Sequence, residues 1–284
     1  MVDPHVENPK SPKYYVKQYL TKIKDDLKGK IVIDMPAGNG VTTEILLELG
    51  SKVEAFDLFP EYFLVKDIKC KKADINSGLP LPGDYADYII CQEGIEHFND
   101  QIKAFAEFNR VLKMGGKLII TTPSYSNLAA RLSYSLFETE AFHKLMPPNE
   151  IDSVWFGDKL NKKIYYGHIF LIGIQKMRTL GRVSGFKIKE IIFMRINKTA
   201  LLLFPFQYPF ILISSFYTYL KAMKKNKGID RKSMKAVYSE QLRLNISPKI
   251  LIDRHTFIVF EKEFASENVY DHLLSLTKPI GDIL

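Results

Sequence analysis

The feature that most constrains the fold lies in residues 31–40, which read IVIDMPAGNG. Three β-branched residues open this stretch, as expected for a strand that is buried on both faces of a parallel sheet. An acidic residue and a turn with two glycines follow, and residues 42–49 then carry apolar side chains at helical spacing. A strand, a glycine turn and a helix expose backbone N–H groups at the positive end of the helix. This arrangement suits an anionic or carboxylate-bearing ligand.

The rest of the chain continues the alternation of strands and helices. Further strands are predicted at residues 52–56, 68–73, 87–92, 117–121, 185–193 and 256–260, and helices at residues 14–27 and 102–112. Five of the strands alternate with helices, which predicts an α/β fold with a doubly wound, seven-stranded, mostly parallel sheet and helices on both faces.

Charge and cysteine usage narrow the class of protein. Cys70 and Cys91 form no CxxC pair and residues 1–15 contain no apolar signal core, so we expect a cytoplasmic protein. Residues 221–235 hold seven basic residues and one acidic residue, so six of the eight net positive charges lie there. A concentrated basic patch beside an apolar segment favours an anionic membrane surface over nucleic acid as the partner.

Five pieces of sequence, in this order, resemble the class I S-adenosylmethionine-dependent methyltransferases: DMPAGNG, VEAFD, AD before INSGLPL, DYIICQEGIEHF and VLKMGGKLIITTP. The resemblance covers residues 30–122 and, more loosely, the last two strands. It implies a Rossmann-like fold with S-adenosylmethionine as cofactor. The chain departs from the family at Pro36, where the first glycine usually stands, because proline fixes φ and has no backbone N–H.

The resemblance also implies roles for individual residues of the cofactor pocket. Gly38 and Gly40 would let the backbone approach the methionine part, Asp57 would bind the ribose, Asp74 and Ile75 would hold the adenine, and Asp34, Pro36 and Gln92 would line the same pocket. An NAD-dependent enzyme would have a third glycine at Thr43. The DPPY-like motif of nucleic-acid amine methyltransferases is absent after the fourth strand, so methylation of a base amine is not expected.

A candidate metal site follows the fourth strand. If Glu93 begins a helix, Glu96 and His97 share its face, and carboxylate and imidazole ligands suit a divalent ion with open positions. This E-x-x-E-H pattern is similar to that of ubiquinone-biosynthesis O-methyltransferases and of small-RNA terminal 2′-O-methyltransferases. The similarity implies a Mg²⁺-like ion and a second histidine ahead of a later helix, a place that His168 occupies. In a metal-free site, His97 or His168 would be the catalytic general base.

An uncharged segment at residues 199–220 is long enough to span a bilayer, which takes about 20 residues. A single span would separate two strands of one sheet, so we predict a helix in the membrane interface. Pro205 and Pro209 are expected to interrupt the run. Beyond them, an apolar face is predicted at Leu212, Phe216, Tyr219 and Met223 and a polar stripe at Ser214, Thr218, Lys221 and Lys225. A buried core or homodimer helix is the alternative.

These observations divide the chain into an N-terminal packing helix (1–29), a cofactor-binding core (30–122), a substrate cap (123–167), the remainder of the sheet (168–197 and 251–264), an apolar and basic insertion (198–250) and a C-terminal tail (265–284). Four residues of the cap are substrate-contact candidates, although each alone fits a structural role: Asn127, Arg131, His143 and Trp155.

The sequence thus predicts an O-methyltransferase that acts on a hydroxyl of a small or lipid-linked acceptor at the inner face of the membrane. A sugar or glycolipid is the first choice of acceptor and a quinone precursor the second. Two alternatives remain open: a metal-dependent RNA 2′-O-methyltransferase, and a catalytically silent membrane-associated scaffold.

Overall fold

The computed structural model describes residues 3–139, 149–158, 163–225 and 229–276. Within these ranges, seven strands form the main sheet and two form a separate hairpin. The main sheet consists of β1 (Ile31–Asp34), β2 (Lys52–Asp57), β3 (Lys71–Lys72), β4 (Ala86–Gln92), β5 (Leu112–Pro123), β8 (Phe186–Ile192) and β9 (His255–Lys262), and the hairpin of β6 (Val154–Asp158) and β7 (Lys163–Tyr166).

The helices of the described ranges are α1 (Pro12–Lys22), α2 (Lys24–Leu27), α3 (Val41–Glu48), α4 (Gln101–Val111), α5 (Leu128–Phe137), α6 (Glu150–Ser153), α7 (Ile174–Val183), α8 (Lys198–Lys225), α9 (Arg231–Ile246), α10 (Pro248–Ile252) and α11 (Ser266–Ser275). Short 3₁₀ helices lie at Pro4–Val6, Pro60–Tyr62, Ile75–Ser77 and Ile95–His97.

The sheet has the order β3-β2-β1-β4-β5-β9-β8. Strands β1 to β5 pair in parallel, and β9 runs antiparallel to both β5 and β8. The carboxyl ends of the parallel strands and the amino end of β9 therefore meet at one edge, where ligands bind in open α/β sheets. This topology confirms the predicted doubly wound, mostly parallel sheet.

Alternate residues of each central strand pack into two apolar clusters, one on each face of the sheet. Ile33 and Ile89 belong to one cluster, and their neighbours Val32 and Ile90 belong to the other. Because successive side chains of a strand point to opposite faces, both faces of the sheet are covered. The β-branched run at residues 31–33 thus packs on both faces of the sheet, as predicted.

Two predicted elements differ from the structure. The third strand is reduced to Lys71–Lys72, whose exposed side chains provide no apolar face to extend the pairing. The helix predicted at residues 14–27 is broken at Ile23, which has φ −101° and ψ 21° and separates α1 from α2.

The insertion differs more strongly, because Pro205 and Pro209 do not interrupt it. Helix α8 runs unbroken for 28 residues, and both prolines lie on its exposed side. A proline inside a helix costs about 3 kcal/mol, and packing along the opposite side of α8 offsets this cost. Within the described residues, α8 is the one helix whose length and composition would allow it to cross a membrane.

The predicted apolar face of the insertion is also wrong. Of its four residues, Leu212, Tyr219 and Met223 are half-buried against the protein, and only Phe216 is exposed. Most exposed apolar side chains of α8 lie on another side of the helix: Leu202, Phe206, Phe210, Ile213, Tyr217 and Leu220. The sequence pattern identified an amphipathic helix, but not which side the rest of the protein covers.

Close packing of α7 on β9 yields a stability prediction. A Cβ at Gly181 would lie 2.6 Å from a ring carbon of Phe260, which is fully buried in β9. We expect Gly181→Ala to lower the free energy of unfolding by about 1–3 kcal/mol. Urea denaturation measures the change, and Lys176→Ala on the exposed side of α7 is the control. Equal stability of the two variants would contradict the packing.

Candidate active site

A cavity of about 900 Å³ opens at the carboxyl edge of the sheet. Its walls come from the loop after β1, the end of β2, the 3₁₀ turn at Ile75–Ser77, the segment after β4 and the hairpin strand β7. Helix α1 adds the side chain of Lys13 to the wall, so the N-terminal helix does more than pack on the sheet. The volume lies within the range typical of small-molecule sites.

The glycine loop after β1 is shaped by positive backbone angles. Gly38 has φ 53° and Gly40 has φ 89°, values that a side chain disfavours. A Cβ at Gly40 would also lie 2.6 Å from Val65. The Gly38 N–H donates to the Asp57 carboxylate over 2.8 Å, and the Phe59 N–H donates to the other Asp57 oxygen over 2.8 Å. The end of β2 thereby fixes the loop.

The Pro36 ring fits in its position because residue 94 is a glycine. The Pro36 ring lies where a side chain of Gly94 would otherwise stand, since a Cβ there would be 2.3 Å from the proline Cδ. Proline therefore joins the glycine loop to the segment after β4, and both segments line the cavity. The departure from the family pattern at Pro36 is accommodated by this pairing.

Asp34 lies beneath the loop and not in the cavity wall. Its Oδ2 accepts a 2.6 Å hydrogen bond from the Thr43 hydroxyl, and its Oδ1 finds no partner among the described residues. Burial raises the pKa of Asp34 to about 7, even though the Thr43 hydrogen bonds lower it. The carboxyl group is thus held partly protonated under the glycine turn.

All other predicted cofactor residues except Gly40 lie in the wall of the cavity. Asp74 accepts from the Asn76 N–H and begins the 3₁₀ turn that contains the buried Ile75. Gln92 ends β4 and accepts a 2.6 Å hydrogen bond from the Thr42 hydroxyl. Together with Asp57 and the glycine loop, these residues surround one cavity, as their order in the sequence predicts.

A group of three ligating side chains lies beside this cavity. One ligand atom each of Glu96, His97 and His168 lies within 4.8 Å of the other two. The Glu96 Oε2 accepts from the Thr122 hydroxyl over 3.0 Å, while its Oε1 has no hydrogen-bond partner in the described part of the chain. Burial, followed by the nearby charge of Glu93, raises the pKa of Glu96.

His97 is oriented by a backbone carbonyl. Its Nδ1 lies 3.2 Å from the Tyr166 carbonyl oxygen, and since a carbonyl only accepts, Nδ1 carries the proton. The lone pair of the ring then lies on Nε2. Burial lowers the pKa of His97, so the imidazole is neutral at pH 7, as a metal ligand or general base must be.

Glu93 is not part of this group. It has a left-handed backbone (φ 46°) and precedes the 3₁₀ helix at Ile95–His97, so the predicted sharing of one helix face does not apply to it. Its N–H donates to the Thr121 carbonyl over 2.9 Å, and its carboxylate lies 4.0 Å from His255 Nε2. Burial raises the pKa of Glu93 and lowers that of His255 to about 4.

Two residues near the site escaped the sequence analysis. His255 begins β9, whose antiparallel direction brings its amino end to the ligand edge. The sequence does not state this direction, so it gave no signal for His255. Gln101 donates from Nε2 to the carbonyls of Ile95 (3.0 Å) and Phe170 (2.6 Å). It thereby ties the turn that carries His97 to the segment that carries His168. Its position within an amphipathic helix gave no signal of this role.

The cap contributes aromatic side chains from β7. Tyr165 and Tyr166 line the cavity, and the Tyr165 ring meets the Phe59 ring edge-on at 4.6 Å between centroids. Asn127 caps α5 by accepting the Ala130 N–H, and Arg131 donates to the Ser126 carbonyl, so both have structural roles. Two further candidates, His143 and the side chain of Trp155, lie outside the described residues.

Comparison with known families identifies the core. Residues 33–120 match the sequence profile of a family described as "Methyltransferase domain". The matched range begins in β1 and ends in β5, so it contains the glycine loop, Asp57, Asp74 and the turn at Ile95–His97. Residues 33–120 are a class I S-adenosylmethionine-dependent methyltransferase domain. The predicted resemblance is confirmed for these residues, and S-adenosylmethionine is the methyl donor that the resemblance implies.

The methyltransferase domain is similar to curated ubiquinone biosynthesis O-methyltransferases. The protein from Xanthomonas oryzae pv. oryzae is 28% identical over 131 residues, which cover 43% of this chain and 54% of the relative. The protein from Coxiella burnetii is 28% identical over 160 residues, 54% of this chain and 65% of the relative. The chain thus spans about half of the first of these relatives and under two thirds of the second.

A solved structure shares the fold over most of this chain. The S-adenosylmethionine-dependent methyltransferase from Archaeoglobus fulgidus is similar with a TM-score of 0.51 over 90% of this chain and 97% of that protein. The sequence identity of 14% limits this likeness to the fold.

The residues of the cavity fit the methyl donor. Gly38 has no described atom within 4 Å of the place where a Cβ would stand, which leaves room for a ligand against the backbone. Each carboxylate oxygen of Asp57 accepts one hydrogen bond from the backbone. Each oxygen also retains a lone pair that can accept a hydrogen bond from a ribose hydroxyl.

The raised pKa of Asp34 yields a pH prediction. Between its ordinary pKa of 3.8 and about 7, the folded protein binds a proton that the unfolded chain has released, so this group lowers stability as pH rises. We expect Asp34→Asn to gain stability over wild type between pH 5 and pH 8 in denaturant titrations, by an amount on the order of 4 kcal/mol at most. A difference that is the same at both pH values would contradict the buried carboxyl.

Proposed function

We propose that this protein transfers a methyl group from S-adenosylmethionine to a hydroxyl oxygen of a small or lipid-linked acceptor. A sugar or glycolipid is the first choice of acceptor and a quinone precursor the second. The observation that carries the proposal is the group formed by Glu96, His97 and His168 beside the donor cavity. Such a group suits activation of a hydroxyl, which is too weakly nucleophilic to accept a methyl group at neutral pH unaided.

The cofactor side of the site positions the donor. S-adenosylmethionine supplies an electrophilic methyl group on a sulfonium sulfur. The glycine loop leaves its backbone open to the methionine part, Asp57 accepts from the ribose, and Asp74 with Ile75 borders the adenine. Tyr165 and Tyr166 cover the cavity from the cap and keep bulk water from the reacting atoms.

The ligand group fits a divalent ion. Glu96 has a buried oxygen without a partner among the described residues, and a cation would satisfy it. His97 presents Nε2 because its Nδ1 is engaged by the Tyr166 carbonyl, the arrangement that orients metal-bound histidines. When bound, the ion would lower the pKa of an acceptor hydroxyl that it ligates.

The donor set refines the choice of ion. Two imidazoles and one carboxylate suit Mn²⁺, Zn²⁺ or Fe²⁺ better than Mg²⁺, which prefers oxygen ligands. Glu93 would have supplied a second carboxylate to a magnesium site, but it lies beside His255 instead. We therefore favour a divalent transition metal over the magnesium-like ion that the sequence pattern implies.

Transfer of labelled methyl groups tests the proposed reaction. The protein is incubated with S-adenosylmethionine that carries a labelled methyl group and, in separate reactions, with a sugar, a glycolipid and a catechol-type quinone precursor. We expect label in an ether that resists mild alkali. Label in an amine, or in an ester that alkali cleaves, would contradict transfer to a hydroxyl.

Binding of Mn²⁺, followed by electron paramagnetic resonance, tests the metal group without reference to activity. We expect Glu96→Gln and His168→Asn to weaken Mn²⁺ binding at least about tenfold. The matched control is Glu93→Gln in the same segment, which should bind like wild type. Loss of binding in the control would restore Glu93 as a ligand. Absence of binding in wild type would instead assign proton removal to His97 as a general base.

A further inference from the structure

The exposed side of α8 carries a continuous apolar stripe. Six side chains that are 51% to 74% exposed form it: Leu202, Phe206, Phe210, Ile213, Tyr217 and Leu220. They follow one another at spacings of three or four residues, so they occupy a single helix face. The stripe is about 27 Å long at the rise of an α-helix.

The opposite side of α8 is attached to the protein along its length. Near the start, Ala200 packs with Leu128 of α5 and Leu251 of α10. In the middle, Ser215 accepts a 2.7 Å hydrogen bond from Asn245 of α9. Near the end, the hydroxyl of Tyr219 lies 3.5 Å from that of Ser239. The helix therefore presents its stripe outward from a fixed position.

Helix α9 is in turn fixed to the core. Glu240 of α9 pairs with Arg178 of α7 at 2.7 Å and with Arg182 at 3.1 Å. A helix held in this way lies against the domain, so a perpendicular passage of α8 through a bilayer would break these contacts. The attached side favours a position parallel to the surface on which the stripe rests.

Exposed basic side chains follow the stripe along the chain. Lys221 and Lys224 follow Leu220 on adjoining positions of the helix, and Lys225, Arg231, Lys232 and Lys235 continue the charge; all six are exposed. Residues 198–225 contain no acidic residue. An apolar stripe that ends in a cationic cluster matches the two layers of an anionic membrane surface, acyl chains and phosphate headgroups.

The same charges disfavour a second copy of the chain as the occupant. Two α8 helices packed side by side in parallel would bring their cationic clusters together. Packed antiparallel, each cluster would meet the other helix near Lys198, again without an acidic partner within α8. An anionic bilayer, by contrast, offers headgroup charges opposite in sign to these side chains.

The position of α8 relates this surface to the active site. Strand β8 runs parallel to β5, so its carboxyl end lies at the ligand edge of the sheet, and α8 begins six residues later at Lys198. The Asn197 N–H donates to the carbonyl of Ile252 over 2.8 Å. This bond fixes the start of α8 to the end of α10, which directly precedes β9. The stripe thus starts from the edge of the sheet that carries the donor cavity.

We propose that the exposed stripe of α8 and the basic side chains that follow it dock the protein on an anionic lipid bilayer, with α8 lying in the plane of the interface. The basic side chains are Lys221, Lys224, Lys225, Arg231, Lys232 and Lys235. The docking does not depend on the proposed methyl transfer. Because the helix starts at the ligand edge, it would place the cavity close to the membrane and favour a lipid-linked acceptor.

Flotation with vesicles tests the docking in the absence of any methyl donor. Wild-type protein should float with vesicles that contain phosphatidylglycerol, float poorly with pure phosphatidylcholine, and be released by high salt. Changing Lys221, Lys224 and Lys225 to Gln should lower the partition coefficient roughly a hundredfold. The same change at the exposed Lys22, Lys24 and Lys28 is the charge control and should leave flotation unchanged.

A second pair of variants tests the stripe itself. Phe206→Ser with Phe210→Ser should lower the partition coefficient at least about tenfold. The matched control changes Tyr270 and Leu274 to Ser, which also lie four residues apart on an exposed helix side. Both double variants remove exposed side chains, and unchanged thermal unfolding of each shows that the fold is intact.

Three results would overturn the proposal. Wild-type protein that stays at the bottom of the gradient with anionic vesicles shows that the surface does not bind lipid. A lipid-free dimer in sedimentation that Phe206→Ser with Phe210→Ser dissociates would assign the stripe to a second copy. Resistance of the membrane-bound protein to alkaline carbonate extraction would show that α8 spans the bilayer.

Discussion

The carboxylate of Asp57 holds the cofactor side of the molecule together. It accepts the N–H groups of Gly38 and Phe59, each over 2.8 Å, and so joins the end of β2 to the glycine loop. Phe59 then meets Tyr165 of the cap hairpin edge-on. One buried side chain therefore links a core strand, the loop that faces the donor and the cover of the cavity, and the remaining geometry of the site depends on these links.

The site contains buried carboxylate groups that destabilise the folded protein. Asp34 and Glu96 are buried, and each has one oxygen without a partner among the described residues. Each such group opposes folding by roughly 1–3 kcal/mol or more. The charge on Glu96 is useful if a cation binds there, and its neighbours Thr122 and His97 are already oriented around it. Strain of this kind marks a ligand site because ligand binding relieves it.

The sequence predicted the cofactor half of the site because each of its residues belongs to a short local motif at a strand end. The role of Glu93 could not be predicted, since a left-handed backbone removes it from the helix face that the spacing implied. His255 depended on the direction of β9, which a sequence does not state. Which side of α8 is exposed depends on what packs against Ala200 and Ser215. Periodicity therefore revealed the amphipathic helix but not its orientation.

The most direct measurement is a calorimetric titration of S-adenosylmethionine into wild-type protein and into Asp57→Asn. We expect one binding site in wild type and affinity lower by roughly tenfold or more in the variant, because the amide weakens acceptance from both the ribose and the loop. Gly29→Asn, in a turn away from the cavity, would serve as the folding control. Absence of binding to folded wild-type protein would contradict the account and leave the methyltransferase domain as a scaffold.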